Sequence, residues 1–182
     1  MNRRGAVLGS VLFAVGQPGM AGLIPYLISE GWQPMDAPLA LQVAGGMLLV
    51  VGVGVLAHTV IRFALEGLGT PFPAAPTRNL VVGGLYRYVR NPMYLAVIAT
   101  IVGQAALLGR VSLLVYAAVL WAVVAGFVIF YEEPTLSAAY GQQYAAYRGA
   151  VRRWWPRLTP WGGRAASASS GDSMSPERSA SR

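Results

Sequence analysis

The chain of 182 residues is 55% hydrophobic and only 12% charged, has a net charge of +7, and contains no cysteine and one histidine. Soluble domains carry roughly a quarter charged residues, so this composition predicts an integral membrane protein. Every basic residue is an arginine, and the arginines lie at the ends of apolar runs, which argues against nucleic-acid binding. Thiolate chemistry is excluded, and no metal site is expected.

The first two apolar runs are predicted to span the membrane. Residues 5–29 exceed the length of a signal-peptide core, so we expect a retained helix kinked at Pro18, with a cleaved signal peptide as the alternative. A polar turn without arginine, residues 30–38, leads to the second run, residues 39–61. His58, near the end of that run, is expected to be hydrogen-bonded between helices.

A basic, aromatic stretch precedes the third apolar run. Residues 66–78 are rich in glycine and proline and are predicted to form a loop. Residues 84–94 follow, with the letters GLYRYVRNPMY. Within them, Asn91 is a favourable helix cap and Pro92 is favourable in a first helical turn. The stretch is therefore predicted to lead directly into a helix.

The third and fourth apolar runs are predicted to form a helical hairpin. The third covers residues 92–108 and the fourth covers residues 111–131, and each is near the length that spans a bilayer. Residues 109–110 leave room only for a tight turn between them. Both ends of the hairpin are therefore expected on the same side of the membrane.

An acidic pair follows the fourth run. Glu132 and Glu133 stand directly before Pro134, which either kinks the helix or restarts it. Carboxylates suit the amino terminus of a helix better than its carboxyl terminus. A helix restarting at Pro134 would place the pair beside free backbone N–H groups, where a ligand's ammonium group or ribose hydroxyls could bind.

Residues 135–153 are predicted to form an amphipathic helix at the membrane interface. Its apolar face is formed by residues at three- and four-residue spacing, namely Leu136, Tyr140, Tyr144, Tyr147 and Val151. Trp154 and Trp155 are expected at headgroup depth. Residues 1–160 are predicted to form a single domain, and residues 161–182 a disordered tail.

The distribution of arginines predicts the topology. The amino terminus and residues 62–90 and 148–164 carry arginines, whereas residues 30–38 carry none and residues 109–110 carry one. The sequence therefore predicts an all-α, polytopic membrane bundle of about four transmembrane helices with a cytoplasmic amphipathic C-terminal helix. Both termini and the active site would be cytoplasmic, in the cell (inner) membrane.

The chemistry of these stretches suits a small polar cosubstrate. Arg87 and Arg90 offer guanidinium groups for a carboxylate or phosphate, and the interleaved Tyr86, Tyr88 and Tyr94 offer ring faces for a cation. Together with the acidic pair, they could bind a ligand with a carboxylate, an ammonium, a ribose and a sulfonium. S-adenosylmethionine is such a ligand, although the residues alone do not single it out.

Recognisable motifs then narrow the choice. The run from Arg90 to Tyr94, a two-span hairpin, and Tyr131-Glu132-Glu133-Pro134 resemble the isoprenylcysteine carboxyl methyltransferase and phospholipid methyltransferase superfamily. Residues 141–147, with Val151 and Pro156 after them, resemble that family's C-terminal signature, so the match covers roughly residues 67–158. The resemblance implies an integral membrane enzyme that transfers a methyl group from S-adenosyl-L-methionine to a lipophilic acceptor.

The resemblance also implies the site residues. The residues expected to bind the cofactor are Tyr86, Arg90, Asn91, Pro92, Tyr94, Glu132, Glu133 and Tyr144, with Gly52 and Gly54 as a Gly-x-Gly element. The residues expected to serve catalysis are Glu133, Arg90 and Arg153. Asn91 stands where the carboxyl methyltransferase branch usually has histidine, and it resembles the phosphatidylethanolamine methyltransferase pattern. Because asparagine cannot take a proton, no acid–base role is carried over to it.

The acceptor and two other functions stay open at this point. An amine acceptor, such as a phospholipid amine, must lose a proton to Glu132, Glu133 or water. A carboxylate acceptor, such as an isoprenoid or prenyl-cysteine-like acid, would be oriented by Arg87, Arg90 or Arg153. The alternatives are a membrane reductase of similar helical build that uses a nicotinamide cofactor, and a non-enzymatic membrane protein.

Overall fold

The structure is a computed structural model that describes residues 16–66, 80 and 82–162, with the backbone alone for residues 62–66. A π-helix at Gly19–Leu23 leads into helix α1 (Ile24–Ile28), and helix α2 (Leu39–Glu66) follows. After a 3₁₀ turn (Gly84–Arg87) come α3 (Pro92–Leu108), α4 (Val111–Phe127), a π-helix (Val128–Glu132) and α5 (Glu133–Ala150). The regular structure of the described residues is helical, which confirms the predicted all-α class.

Two helices are long and apolar enough to cross a membrane. They are Leu39–Ile61 within α2, and the stretch Val111–Ala150, which runs from α4 through α5 and is kinked at Gly141, where φ is +50°. Helix α3 is apolar but shorter. Residues 5–15 of the predicted first span, residues 67–78 of the predicted loop and residues 163–182 of the tail lie outside the described residues.

Close approach of α2 and α3 depends on glycine. A Cβ atom added at Gly52 of α2 would lie 2.7 Å from Thr100 Oγ1, and one added at Gly103 of α3 would lie 2.6 Å from the backbone nitrogen of Leu49. Glycine is therefore required where the two backbones meet, as is common for helices packed in lipid. Gly54 differs, since a Cβ atom there would meet nothing within 4 Å.

The first helical segment, residues 16–28, is held against α3 by a buried glutamine. Gln104 Nε2 donates to the carbonyl oxygen of Ala21 at 2.7 Å, and Trp32 Nε1 donates to Gln104 Oε1 at 3.2 Å. Ala21 also belongs to the main apolar core, together with residues of α3 and α4 such as Ile101 and Leu113. The polar ends of Gln104 are thus satisfied within an apolar surrounding.

The two turns that the arginine count placed on one side do lie together. Gly109 adopts a left-handed conformation (φ +67°) that ends α3, and the backbone N–H of Met35 donates to Leu108 O at 2.8 Å. Arg110 Nε donates to the carbonyl oxygen of Gln33 at 3.0 Å. The tight turn at residues 109–110 is confirmed, and the acidic pair lies at the opposite end of the hairpin.

Three local expectations were wrong. The side chain of Asn91 makes no cap hydrogen bond to α3; its Nδ2 donates to the carbonyl oxygen of Arg153 instead. His58 is exposed on α2 rather than held between helices. Helix α5 does begin at Glu133, with Pro134 in its first turn, but the expected free N–H groups were not found at Glu133: the chain enters α5 from a π-helix, and the backbone N–H of Glu133 donates to Val128 O. This N–H group is therefore not free to bind a ligand.

The glycine contact gives a first prediction. Gly103→Ala should lower the free energy of unfolding by about 1–3 kcal/mol, because the added methyl group overlaps the backbone of α2. The measurement is denaturant-induced unfolding of the purified protein in detergent micelles. Gly54→Ala is the matched control, and it should be neutral or slightly stabilising because alanine favours helices and the site is open. Equal effects of both changes would contradict the packing argument.

Candidate active site

The segment after α5 folds back along the basic, aromatic stretch. Three backbone hydrogen bonds join the two: Arg90 N–H to Arg152 O at 3.0 Å, Arg157 N–H to Tyr88 O at 2.9 Å, and Trp161 N–H to Arg87 O at 3.0 Å. The Asn91 side-chain amide also donates to Arg153 O at 3.2 Å. The C-terminal segment is therefore one wall of the site.

The face predicted for α5 packs on this wall. Tyr144, Tyr147 and Val151 are buried in one cluster, against which Leu136 and Tyr140 also pack. Leu80, Val82 and Trp161 complete the cluster from the other two segments. The hydroxyl of Tyr147 donates to the carbonyl oxygen of Tyr86 at 2.7 Å. Helix α5 is thereby held against the basic, aromatic stretch at Tyr86.

At the centre of the site the Glu133 carboxylate is surrounded by guanidinium groups. Arg153 binds it with two of its three guanidinium nitrogens: Nε donates to Oε1 at 2.7 Å, and Nη2 donates to Oε2 at 2.8 Å. Arg90 Nη1 lies 2.9 Å from Oε1, and the more exposed Arg148 lies at 4.0 Å. The Glu133 side chain is only 7% exposed. The hydrogen bond to Glu133 raises the pKa of Arg153 above its usual value.

Arg90 connects this ion cluster to the rest of the site. Its Nη1 also donates to the hydroxyl of Tyr144 at 3.3 Å, and its side chain is 10% exposed. Its Nε is buried without a hydrogen-bond partner among the residues that the structure describes. A buried donor of this kind is costly to leave unpaired, so it is suited to an anionic oxygen of a ligand.

Glu132 lies in a different environment from its neighbour. The hydroxyl of Tyr94 donates to Glu132 Oε2 at 3.0 Å. Burial raises the pKa of the Tyr86 hydroxyl, and the charge of nearby Glu132 raises it further. Consecutive helical residues project about 100° apart, which allows one carboxylate to face arginines while the other faces tyrosines.

Two apolar cavities lie on opposite faces of α3 beside these groups. One, of about 490 Å³, is lined by residues of α2 and α3, including Gly52 and Pro92, and by Tyr88. The other, of about 290 Å³, lies between the first helical segment, α3 and α4, and Tyr94 lines it. Polar groups at the ends of apolar cavities are typical of sites for lipophilic ligands.

The residues that the sequence predicted for the site therefore fall into three groups. Glu133, Arg90, Arg153 and Tyr144 form the ion cluster, to which Asn91 is joined through the backbone of Arg153. Tyr86, Tyr94 and Glu132 form the tyrosine–carboxylate group. Gly52 and Pro92 line the larger cavity, whereas Gly54 is exposed on α2 with open space beside it.

Sequence reasoning missed Gln17, which lines the smaller cavity. The only signal in the sequence was a carboxamide side chain within an apolar run. The adjacent Pro18 was interpreted only as a kink in the backbone. Polar side chains within apolar spans are rare and commonly functional.

These features define a helical membrane protein with a paired-carboxylate site at one end of a hairpin. The family model described as phospholipid methyltransferase matches residues 41–143, more than half of the 182 residues. The chain belongs to the phospholipid methyltransferase family, which confirms the resemblance stated above. No curated protein and no solved structure matches the chain.

The ion cluster gives a second prediction. Glu133→Gln should lower the free energy of unfolding by about 3–5 kcal/mol, because the buried guanidinium of Arg90 loses its counter-charge. Chemical unfolding in detergent micelles measures the change. Arg148→Gln is the control: its side chain is 55% exposed and 4.0 Å away, so the loss should stay within about 1 kcal/mol. A Glu133→Gln protein as stable as the control variant would contradict a structural role for the cluster.

Proposed function

We propose that the protein is an integral membrane methyltransferase that uses S-adenosyl-L-methionine and methylates the amine of a lipid. The observation that carries this proposal is the split between the two glutamates. Glu133 is neutralised by Arg153 and Arg90, while Glu132 faces the hydroxyl of Tyr94. The family membership supports methyl transfer, and the arrangement of charges supports an amine as the acceptor.

The residues present suit S-adenosyl-L-methionine. The buried Nε of Arg90, which lacks a partner among the described residues, would bind its carboxylate. Tyr86 and Tyr94 would face its positive charge. When bound, this cofactor supplies a methyl group that its sulfonium charge has already activated.

The chain's own contribution is to position the acceptor and to take its proton. A lipid ammonium exposes its nitrogen lone pair only after it loses a proton, and the Glu132 carboxylate is the group that we assign to accept it. The Tyr94 hydroxyl orients that carboxylate through the 3.0 Å hydrogen bond. Because the methyl donor is activated beforehand, most of the rate gain would come from positioning.

Glu133 and Arg153 have a different role in this proposal. Both are engaged in the bidentate pair, so they act as positioning residues that hold Arg90 and the C-terminal segment in place. A carboxylate acceptor would need an arginine free to orient it. Arg87 donates to the carbonyl oxygen of Trp161 at 2.7 Å, and Arg153 is held in the bidentate pair. The Nε of Arg90, which lacks a hydrogen-bond partner among the described residues, is assigned to the carboxylate of the cofactor. These contacts favour an amine over a carboxylate.

We further propose that the site lies on the cytoplasmic side of the cell membrane. The arginine-rich segments meet at this end of the hairpin, whereas the opposite end carries Arg110 paired with Glu30 at 3.6 Å. Four transmembrane helices, an interfacial α5 and a single domain over residues 1–160 complete the proposed architecture. The cofactor would arrive from water and the lipid from the bilayer.

The central test is transfer of a labelled methyl group. Purified protein in lipid, given methyl-labelled S-adenosyl-L-methionine and total lipid extract, should transfer label to the organic phase. Glu132→Gln should reduce the turnover number at least about 100-fold, because the proton acceptor is lost. Asp36→Asn, which alters an exposed carboxylate at the opposite end, is the matched control and should keep full turnover.

Three outcomes of that assay would overturn parts of the proposal. Full turnover by Glu132→Gln would remove Glu132 as the proton acceptor. Label found in base-labile methyl esters rather than in methylated amines would favour a carboxylate acceptor. Failure to bind S-adenosyl-L-methionine, combined with binding of a nicotinamide cofactor, would replace methyl transfer with reduction.

Orientation can be tested separately because the chain contains no cysteine. Asp36→Cys and Arg152→Cys each place one thiol at an exposed position at opposite ends of the hairpin. In intact spheroplasts, a membrane-impermeant maleimide should label the cysteine at 36 at once, and the cysteine at 152 only after permeabilisation. The reverse pattern would place the site on the outer side.

A further inference from the structure

The smaller cavity contains a polar group that neither the ion cluster nor the tyrosine–carboxylate group uses. Among its lining residues are Gln17 and Met20 from the first helical segment, Tyr94 and Ile98 from α3, and Val123 and Phe127 from α4. Its volume of about 290 Å³ equals that of about ten water molecules at roughly 30 Å³ each. It is large enough for a lipid head or part of a chain.

Gln17 is buried at this cavity with one end of its carboxamide unsatisfied. The residue is 6% exposed, its Nε2 donates to the sulfur of Met93, and its Oε1 has no hydrogen-bond partner within the described part of the chain. The nitrogen end of the carboxamide faces the Met93 sulfur, and a thioether sulfur can only accept a hydrogen bond. The group that lacks a partner is therefore a hydrogen-bond acceptor.

A second acceptor, Glu132, is connected to the first turn of α3. Met93 and Tyr94 are consecutive residues in the first turn of α3, and the Tyr94 hydroxyl donates to Glu132. The ring of Tyr94 lines the cavity that Gln17 also lines. Gln17 thus contacts the first turn of α3 through Met93, and Tyr94 of the same turn connects the cavity to the Glu132 carboxylate. The carboxamide oxygen still requires a hydrogen-bond donor from whatever binds in the cavity.

The cavity also lies beside an exposed apolar surface. Met20, one of its lining residues, is 41% exposed, and Val123 and Phe127 on α4 are exposed as well. An apolar chain can therefore reach the cavity sideways from the bilayer while its head approaches the first turn of α3. A water-borne ligand would have to cross this apolar lining.

We propose that this cavity binds the methyl acceptor and that Gln17 positions it by accepting a hydrogen bond from the amine N–H. The inference rests on the proposed function and adds to it a residue outside the matched stretch 41–143. The first helical segment is then part of the substrate site. Only one amine hydrogen is needed for Gln17, so that a second remains to be lost to Glu132.

The test uses two photoactivatable probes with the protein in phosphatidylcholine nanodiscs. One probe is tetradecylamine with a diazirine on its chain, and the other is the trimethylammonium compound with the same chain, which has no N–H. The wild-type protein should be labelled by the amine at residues lining the cavity, at about five- to tenfold lower concentration than by the quaternary probe, as expected for one buried hydrogen bond.

Gln17→Leu should abolish this preference, because its side chain cannot accept a hydrogen bond, while Gln17→Asn should keep part of it. Gln104→Leu is the matched control, since Gln104 is also buried but has both amide ends bonded within the protein. It should lose stability and keep the preference. If Gln17→Leu does not fold, the preference of the wild-type protein and the site of labelling still decide the question.

Kinetics then separate positioning from a merely structural role. With dihexanoyl phosphatidylethanolamine as acceptor, Gln17→Leu should raise KM about five- to tenfold, with kcat and the affinity for S-adenosyl-L-methionine nearly unchanged.

Retained amine preference in Gln17→Leu, or labelling outside the cavity, would overturn the inference while leaving methyl transfer intact. Labelling as expected without any methyl transfer would instead overturn the proposed function and leave the binding site standing.

Discussion

The ion cluster around Glu133 imposes the arrangement of this end of the molecule. A carboxylate that is 7% exposed at the end of an apolar helix requires compensation by opposite charge. The guanidinium groups come from Arg90, before the hairpin, and from Arg153, beyond α5. Satisfying one buried charge therefore brings three segments together, and the backbone pairing of residues 87–90 with residues 152–161 follows from the same return of the chain. The pairing of this one charge therefore accounts for the position of the segments that surround the candidate site.

The neighbouring carboxylate of Glu132 accepts a hydrogen bond from Tyr94. The chain passes through a π-helix from Val128 to Glu132 before α5 begins at Glu133. Single-turn π-helices are often found at functional sites, where they re-aim side chains. Here the consequence is that two adjacent glutamates serve different purposes: Glu133 holds the fold, while Glu132 contacts Tyr94 and faces the region where chemistry is proposed. Two adjacent glutamates that look equivalent in the sequence therefore have different partners in the structure.

Helix α3 separates the two apolar cavities and supplies residues to both. One face, with Pro92 and Ala96, lines the cavity against α2, and another, with Tyr94 and Ile98, lines the cavity against α4. At Gly103 its backbone contacts α2, and this contact keeps α2 and α3 close together. The first turn of this helix is therefore next to both cavities and to Glu132. Such an arrangement suits a reaction between a polar cofactor and a membrane-borne acceptor, because the cofactor can approach this turn from water and the acceptor can approach it from the bilayer.

The sequence by itself determined the all-helical class, the bounds of α3 at residues 92–108, the tight turn after it, the packed face of α5 and the family. These features are local: apolar runs, a proline in a first turn, a glycine at a left-handed position and a three- and four-residue repeat each fix structure through neighbouring residues. The tertiary structure alone decided that the amide of Asn91 bonds to Arg153 rather than capping its helix, and that Glu133 is bound by arginines. It also decided that Gly54 faces open space and that Gln17 contacts Met93. The contacts of Asn91, Glu133 and Gln17 join residues far apart in the chain. They depend on how the helices pack, which no local sequence pattern encodes.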